Sequence, residues 1–188
     1  MITLITGGSG CGKSVWAEKT IHAISPEQKY YLATMQYMDP ETGMRIERHR
    51  RQRAGMNFET IECPTDIGSI HLPEHTTVLL EDIPNLLANE MFGGGNWTRI
   101  LPGFLRLSER CSHFFVVTND VFSDGDTYSD ETRQYMHHLA EINRSLAAVA
   151  DHVVEVVYSI PVFLKGNSLA LCDGLSKKTS AVDTMPKA

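Results

Sequence analysis

The chain has 188 residues, of which 42% are hydrophobic and 21% charged, and its formal net charge is −6. This length suits one α/β domain with a sizeable core, and this composition is typical of a soluble globular protein. The negative net charge argues against a general nucleic-acid-binding protein, which needs a positive surface. No apolar run is long enough to span a membrane. The four cysteines are scattered without C-x-x-C spacing, so we expect reduced thiols and a cytoplasmic protein without a cleavable leader.

The first elements along the chain are a strand over Ile2–Thr6, a glycine-rich loop, and a helix over residues 15–21. The loop matches G-x-x-x-x-G-K-[ST], the pattern of a phosphate-binding P-loop, and comprises Gly7, Gly8, Ser9, Gly10, Cys11, Gly12, Lys13 and Ser14. In such a loop, backbone N–H groups and the helix N-terminus bind phosphate oxygens. We expect Lys13 to reach the β- and γ-phosphates and Ser14 to ligate Mg²⁺. The alternative is a glycine-rich turn that binds no nucleotide, and the strand–loop–helix context argues against it.

A second strand is predicted at Lys29–Ala33, followed by a strongly basic helix over residues 41–53. Positions 45, 49 and 53 of this helix carry Arg, His and Arg, and they fall roughly on one face. Neighbouring guanidinium groups would keep His49 neutral, as a nucleophile requires, and would bind a triphosphate or pyrophosphate. A solvated basic helix with an incidental histidine explains the same residues. A nucleic-acid contact explains them less well, because the chain as a whole is acidic.

Next, an extended segment is predicted over residues 57–61, and a buried strand over residues 76–80 that leads into Glu81. A carboxylate at this position has the form of a Walker B acid, which holds Mg²⁺ directly or through water. A surface acid at a strand end is the alternative interpretation. Asp82 is expected to point to the opposite face of the strand. The strand over residues 113–118 leads into Asn119, at the sheet edge where ligands of open α/β proteins bind.

The remaining elements are helices over residues 84–92, 97–110 and 129–150, and strands over residues 153–157 and 162–164. Repeated strand–helix units predict a mainly parallel sheet flanked by helices, with right-handed crossovers. The predicted fold class is therefore P-loop NTPase-like α/β, in a single domain over residues 1–166. The polar, irregular residues 167–188 predict a loose C-terminal tail.

Several short motifs occur in a fixed order and spacing along residues 1–165. They are Thr6-Gly7-Gly8, Tyr31-Leu32-Ala33-Thr34, Arg45-Ile46 before Arg48-His49-Arg50, Thr60-Ile61-Glu62, Leu79-Leu80-Glu81, Asn89-Glu90-Met91-Phe92, Val117-Thr118-Asn119-Asp120 and Ile142-Asn143-Arg144. In this combination the chain resembles the bifunctional adenosylcobinamide kinase/adenosylcobinamide-phosphate guanylyltransferase family of cobalamin biosynthesis.

The resemblance implies an enzyme that phosphorylates adenosylcobinamide with ATP or GTP. The same enzyme then transfers GMP from GTP to adenosylcobinamide phosphate and releases pyrophosphate. It implies that His49 forms a guanylyl-histidine intermediate and that Lys13, with Ser14 and Mg²⁺, stabilises the phosphates. The GTP site would also include Ala33, Thr34, Met35, Arg50, Arg51, Gln52, Arg53, Glu62 and Glu81. Because the type example of the family is a trimer, we expect a homo-oligomer.

One segment departs from the family pattern. Many members carry a glycine-rich G-x-G-[IV]-[VI]-P loop after the strand that ends in Asn119, whereas residues 121–130 here are acidic and lack the proline. A member with only one activity, either kinase or guanylyltransferase, is therefore an alternative. A P-loop kinase of another small metabolite and a nucleotide-dependent regulatory protein without turnover are two further alternatives.

Overall fold

A computed structural model describes residues 1–25, 27–36, 39–120 and 128–167, except for the side chain of Arg45. Two predicted features fall outside these ranges for most of their length. They are the acidic segment over residues 121–130 and the tail over residues 167–188.

The described residues form a seven-stranded sheet at the centre of the molecule. Its strands are β1 (Ile2–Thr6), β2 (Lys29–Ala33), β3 (Phe58–Glu62), β4 (Thr76–Glu81), β5 (Cys111–Val117), β6 (His152–Val157) and β7 (Ile160–Lys165). They lie in the order β3-β2-β4-β5-β1-β6-β7. All neighbours pair in parallel except β7, which is antiparallel to β6. The parallel sheet with flanking helices confirms the predicted fold class.

The helices lie on both faces of the sheet. They are α1 (Lys13–Ile24), α2 (Pro40–Gln52), α3 (Ile83–Phe92), α4 (Ile100–Ser108) and α5 (Asp130–Val149). One face packs against Ala17 and Ile21 of α1, whereas the other packs against α3, α4 and α5. Strand β4 is buried over its whole length because it is covered on both faces. Within the described ranges, no helix combines the length and apolar character needed to cross a bilayer.

The helix predicted over residues 97–110 is shorter than expected. Trp97–Arg99 forms a 3-10 turn, and the α-helix begins only at Ile100. The reason is Pro102, which has no N–H to donate and is tolerated only in the first turn of a helix. The Asn96 side chain accepts a hydrogen bond from the Thr98 N–H at 3.1 Å, which caps the 3-10 turn instead.

The last two strands form a hairpin whose turn contacts the P-loop. Tyr158 and Ser159 occupy the turn with φ of 49° and 66°, as a two-residue hairpin turn requires. The N–H of Ser159 donates to the carbonyl of Cys11 at 2.8 Å. The last strand was predicted over residues 162–164, but β7 begins at Ile160 and therefore includes Pro161. The proline is tolerated there because β7 is an edge strand with unpaired backbone groups on one side.

We expect Phe104→Ala to lower the free energy of unfolding by about 3–5 kcal/mol. Phe104 is fully buried in α4, and its ring centroid lies 4.7 Å from that of Phe114 in β5. Truncation would therefore leave a cavity between helix and sheet. Urea denaturation measures the effect, with Phe92→Ala as the control because that side chain is 61% exposed. Equal losses for the two variants would contradict this description of the core.

Candidate active site

A cavity of about 960 Å³ opens at the carboxyl ends of β2, β4 and β5. Ala33, Glu81 and Val117, the last residues of these strands, line it together with the P-loop and α2. A volume of this size suits a nucleotide. The position agrees with the rule that ligands of open α/β sheets bind beyond the carboxyl ends of the strands.

Lys13 lies at the base of the cavity and is bonded to the P-loop. Its Nζ donates to the carbonyl oxygens of Gly7 and Gly8 at 2.8 and 2.7 Å. It also donates to Oδ1 of Asn119 at 2.6 Å. The side chain is buried, so its direction is set before any phosphate binds. Asn119 follows β5, and this contact therefore ties the end of that strand to the P-loop.

The loop can approach its neighbours this closely because its glycines lack side chains. Gly7 has φ +140°, and a Cβ on it would lie 2.5 Å from the carbonyl oxygen of Val156. Gly12 has φ +97°, and a Cβ there would lie 2.6 Å from Oγ of Ser159. Larger residues at these positions would move the loop away from β6 and its hairpin turn.

Ser14 and Glu81 meet beside Lys13. The Ser14 hydroxyl donates a hydrogen bond to Oε1 of Glu81. The second oxygen, Oε2, is buried and accepts no hydrogen bond from the described residues. Burial raises the pKa of Glu81, while the Ser14 hydrogen bond opposes this shift. Asp82 also lines this cavity, and it caps α3 by accepting from the N–H of Asn85 at 2.9 Å.

His49 projects into the same cavity from α2. Its Nδ1 lies 4.0 Å from Oε1 of Glu81, and its side chain is 21% exposed. Since Oε1 is also the acceptor for Ser14, the carboxylate of Glu81 stands between the P-loop hydroxyl and the imidazole. The site thus combines a phosphate-binding loop with an imidazole that can act as nucleophile, base or metal ligand.

A buried ion pair joins α1 to the end of α2. Nη1 of Arg53 lies 3.6 Å from Oε1 of Glu18, and its guanidinium lies 3.4 Å from the ring centroid of Tyr31. The Gln52 amide donates to Oε2 of Glu18. Burial raises the pKa of Glu18 to about 7, and the Gln52 hydrogen bond opposes this shift. One atom each of Glu18, His49 and Glu81 lies within 4.8 Å of the others, so these residues could share a metal ion.

The chain matches the family model for cobinamide kinase / cobinamide phosphate guanyltransferase over residues 3–164. The protein belongs to this family. Relatives named bifunctional adenosylcobalamin biosynthesis protein CobU occur in Salmonella typhimurium (strain LT2) and Escherichia coli (strain K12). Each is 30% identical over 184 residues, covering 88% of this chain and 100% of the relative. Among solved structures, the ATPase domain of G40P aligns with 82% of this chain and 68% of its own length, with TM-score 0.43 and 12% identity.

Membership of the cobinamide kinase / guanyltransferase family confirms the predicted resemblance. It also confirms that the protein is an enzyme of the transferase class. The structure places most residues that the resemblance assigned to the GTP site on the cavity wall. Those that line it are Ser9, Gly10, Cys11, Gly12, Lys13, Ser14, Ala33, Met35, His49, Arg50, Gln52, Arg53, Glu62 and Glu81.

The other predicted site residues do not line the cavity. Gly7 and Gly8 take part through the carbonyls that hold Lys13. Thr34 is fully buried, and its hydroxyl accepts from the Asp82 N–H at 2.7 Å. Arg51 points to the outer face of α2, where its Nε donates to Glu47 at 3.0 Å with a side chain that is 79% exposed.

Sequence reasoning missed Glu18. The available signal is its spacing, because Glu18 is four residues after Ser14 and lies on the face of α1 that buries Ala17 and Ile21. A carboxylate on a buried helix face needs a partner. Gln52 and Arg53, at the end of the basic helix α2, are the two partners of Glu18. A prediction from local pattern did not connect the two segments, because they are more than 30 residues apart in sequence.

Proposed function

We propose that this enzyme phosphorylates adenosylcobinamide with ATP or GTP and transfers GMP from GTP to adenosylcobinamide phosphate. The observation that carries the proposal is that His49 and Lys13 line one cavity. A kinase needs the P-loop alone, whereas a covalent guanylyltransferase also needs a nucleophile near the α-phosphorus. The imidazole on α2 supplies that group.

In the kinase reaction, the aminopropanol hydroxyl of adenosylcobinamide attacks the γ-phosphorus. A new P–O bond forms to the acceptor, the bond to the β,γ-bridging oxygen breaks, and the nucleoside diphosphate leaves while the hydroxyl proton passes to water. The P-loop N–H groups and the Lys13 ammonium stabilise the charge on the transferred group and the leaving group. This step does not require His49.

In the guanylyl transfer, Nε2 of His49 attacks the α-phosphorus of GTP. A P–N bond forms, the P–O bond to the β-phosphate breaks, and pyrophosphate leaves. We assign Nε2 because Nδ1 is the ring nitrogen that faces Glu81 at 4.0 Å, where the carboxylate can stabilise the proton on Nδ1. A phosphate oxygen of adenosylcobinamide phosphate then attacks the same phosphorus, and the P–N bond breaks to give adenosylcobinamide-GDP and free His49.

Ser14 and Glu81 are the residues that would hold Mg²⁺. Hydroxyl and carboxylate oxygens are ligands that this ion prefers, and the unbonded, buried Oε2 of Glu81 suits a cation or its bound water. When bound, the ion would neutralise charge on the phosphates. The Ser14–Glu81 hydrogen bond brings the two oxygen ligands together beforehand.

We also infer a homo-oligomer, with a trimer as the first expectation. Ile160, Val162 and Leu164 alternate along edge strand β7, and they are 65%, 43% and 61% exposed. A row of aliphatic side chains on one face of an edge strand is a surface that a subunit contact would bury.

Labelling of the protein by GTP tests the guanylyltransferase proposal. We expect the wild-type enzyme to retain label from the α-phosphate but not from the γ-phosphate, with equimolar pyrophosphate release. A phosphoramidate link is acid-labile and base-stable, and added adenosylcobinamide phosphate should remove the label. Unlabelled protein that still phosphorylates adenosylcobinamide would instead identify a kinase-only member. If the corrinoid is not phosphorylated and the protein is not guanylylated, both activities are contradicted.

A further inference from the structure

We propose that Glu18 is a positioning residue that holds α2 against α1 and so sets the place of His49 beside the P-loop. The inference rests on the proposed nucleophilic role of His49. It concerns a buried carboxylate that touches neither the P-loop lysine nor its carbonyl partners in the described contacts.

Helix α2 is poorly anchored by apolar packing. Among its described side chains none is fully buried, and Met44 is 68% exposed. Helices of globular proteins are normally held by an apolar stripe that faces the core. Here the inward side of the last turn carries His49 and Gln52, and Arg53 follows directly. The position of α2 therefore depends on polar contacts.

Glu18 takes part in two of these polar contacts. Its Oε2 accepts from Gln52, and its Oε1 lies 3.6 Å from Arg53. Glu18 itself is fixed, because Ala17 and Ile21 on the same face of α1 are fully buried. The Glu18 carboxylate is thus held in place by the packing of α1. The end of the loosely packed α2 is bonded to this carboxylate.

His49 is three and four residues before the two partners of Glu18, so all three lie on one face of the same helical turn. A shift of that turn moves the imidazole directly. Lys13 is held independently by Gly7, Gly8 and Asn119. Loss of Glu18 should therefore displace the nucleophile but leave the phosphate-binding lysine in place.

The test is Glu18→Gln, which keeps the side-chain volume but removes the charge that Arg53 faces. Misplacement of a reacting group by about 1 Å can cost about 100-fold in rate. We expect the rate of histidine guanylylation by GTP to fall by about 10- to 100-fold. The loss in the rate of adenosylcobinamide phosphorylation should be smaller than the loss in guanylylation by a factor of about ten or more, because phosphorylation does not use His49. Amide hydrogen exchange in the last turn of α2 should accelerate.

Glu74→Gln is the matched control, because that side chain is 69% exposed and pairs with the exposed Arg110. Equal losses of both activities with a lowered melting temperature would show a general structural role and overturn the proposal. Unchanged guanylylation would also overturn it. If Glu18→Gln does not fold, Glu18→Asp keeps the charge but shortens the side chain that reaches Gln52 and Arg53, and the same split between activities is required.

The two proposals fail in different ways. If His49 is not the nucleophile, either the wild-type enzyme carries no label from the α-phosphate or the His49→Ala variant keeps that label, and both results overturn the role proposed for Glu18. If His49 is the nucleophile but Glu18 does not position it, the wild type is labelled and Glu18→Gln is labelled at the same rate. The double variant of Glu18→Gln with Arg53→Met provides a further test. If the two residues are coupled, its loss of guanylylation rate differs from the sum of the losses, in free energy, of the two single variants.

Discussion

His49→Ala is expected to abolish transfer of GMP from GTP while phosphorylation of adenosylcobinamide continues. Removing the group that forms a covalent intermediate from a catalytic set typically costs about 10⁴-fold or more. We expect the γ-phosphoryl transfer to depend on the P-loop and Lys13, and the hydrogen bonds that hold the Lys13 ammonium do not involve α2. The measurements are protein labelling from the α-phosphate, pyrophosphate release, and a separate kinase assay.

His22→Ala is the control for this experiment, since His22 is an exposed histidine on α1 and lies outside the cavity. It should keep both activities. Protein label that persists at the wild-type level in His49→Ala would show that another residue is the nucleophile. Loss of the kinase reaction to the same extent would show that His49 acts on both reactions, for example by binding phosphate.

Lys13→Met should lower both half-reactions by about 10²- to 10³-fold. The ammonium supplies the positive charge at the base of the cavity, and both reactions develop negative charge on the triphosphate or its leaving group. Initial rates of phosphorylation and of protein labelling, each at saturating GTP, measure the effect. Melting temperature must be recorded too, because the substitution also removes the hydrogen bonds to Gly7, Gly8 and Asn119 within the protein.

Lys19→Met is the matched control, because Lys19 is on the same helix but exposed. It should reproduce wild-type rates. If Lys13→Met lost only one of the two activities, the reactions would use separate phosphate sites, in conflict with a single shared cavity.

Much of the fold could be predicted because its signals are local. The mainly apolar residues 76–80 and 113–118 predicted two strands, and these strands, β4 and β5, are central in the sheet. The P-loop is a contiguous motif in which each position has its own backbone requirement, as the φ of +97° at Gly12 illustrates. The start of α4 was missed because a single proline shifted the boundary within an otherwise helical pattern.

For the candidate site, the sequence alone predicted which residues would carry the chemistry: a phosphate-binding lysine, a strand-end carboxylate and a histidine in a basic helix. Only the tertiary structure decided that Glu81 lies between Ser14 and His49, that Arg53 is buried while Arg51 faces outward, and that Glu18 joins the two helices. The reason is that helical periodicity and motif spacing constrain neighbours within one element. The distance between side chains on different elements depends instead on how those elements pack across the sheet.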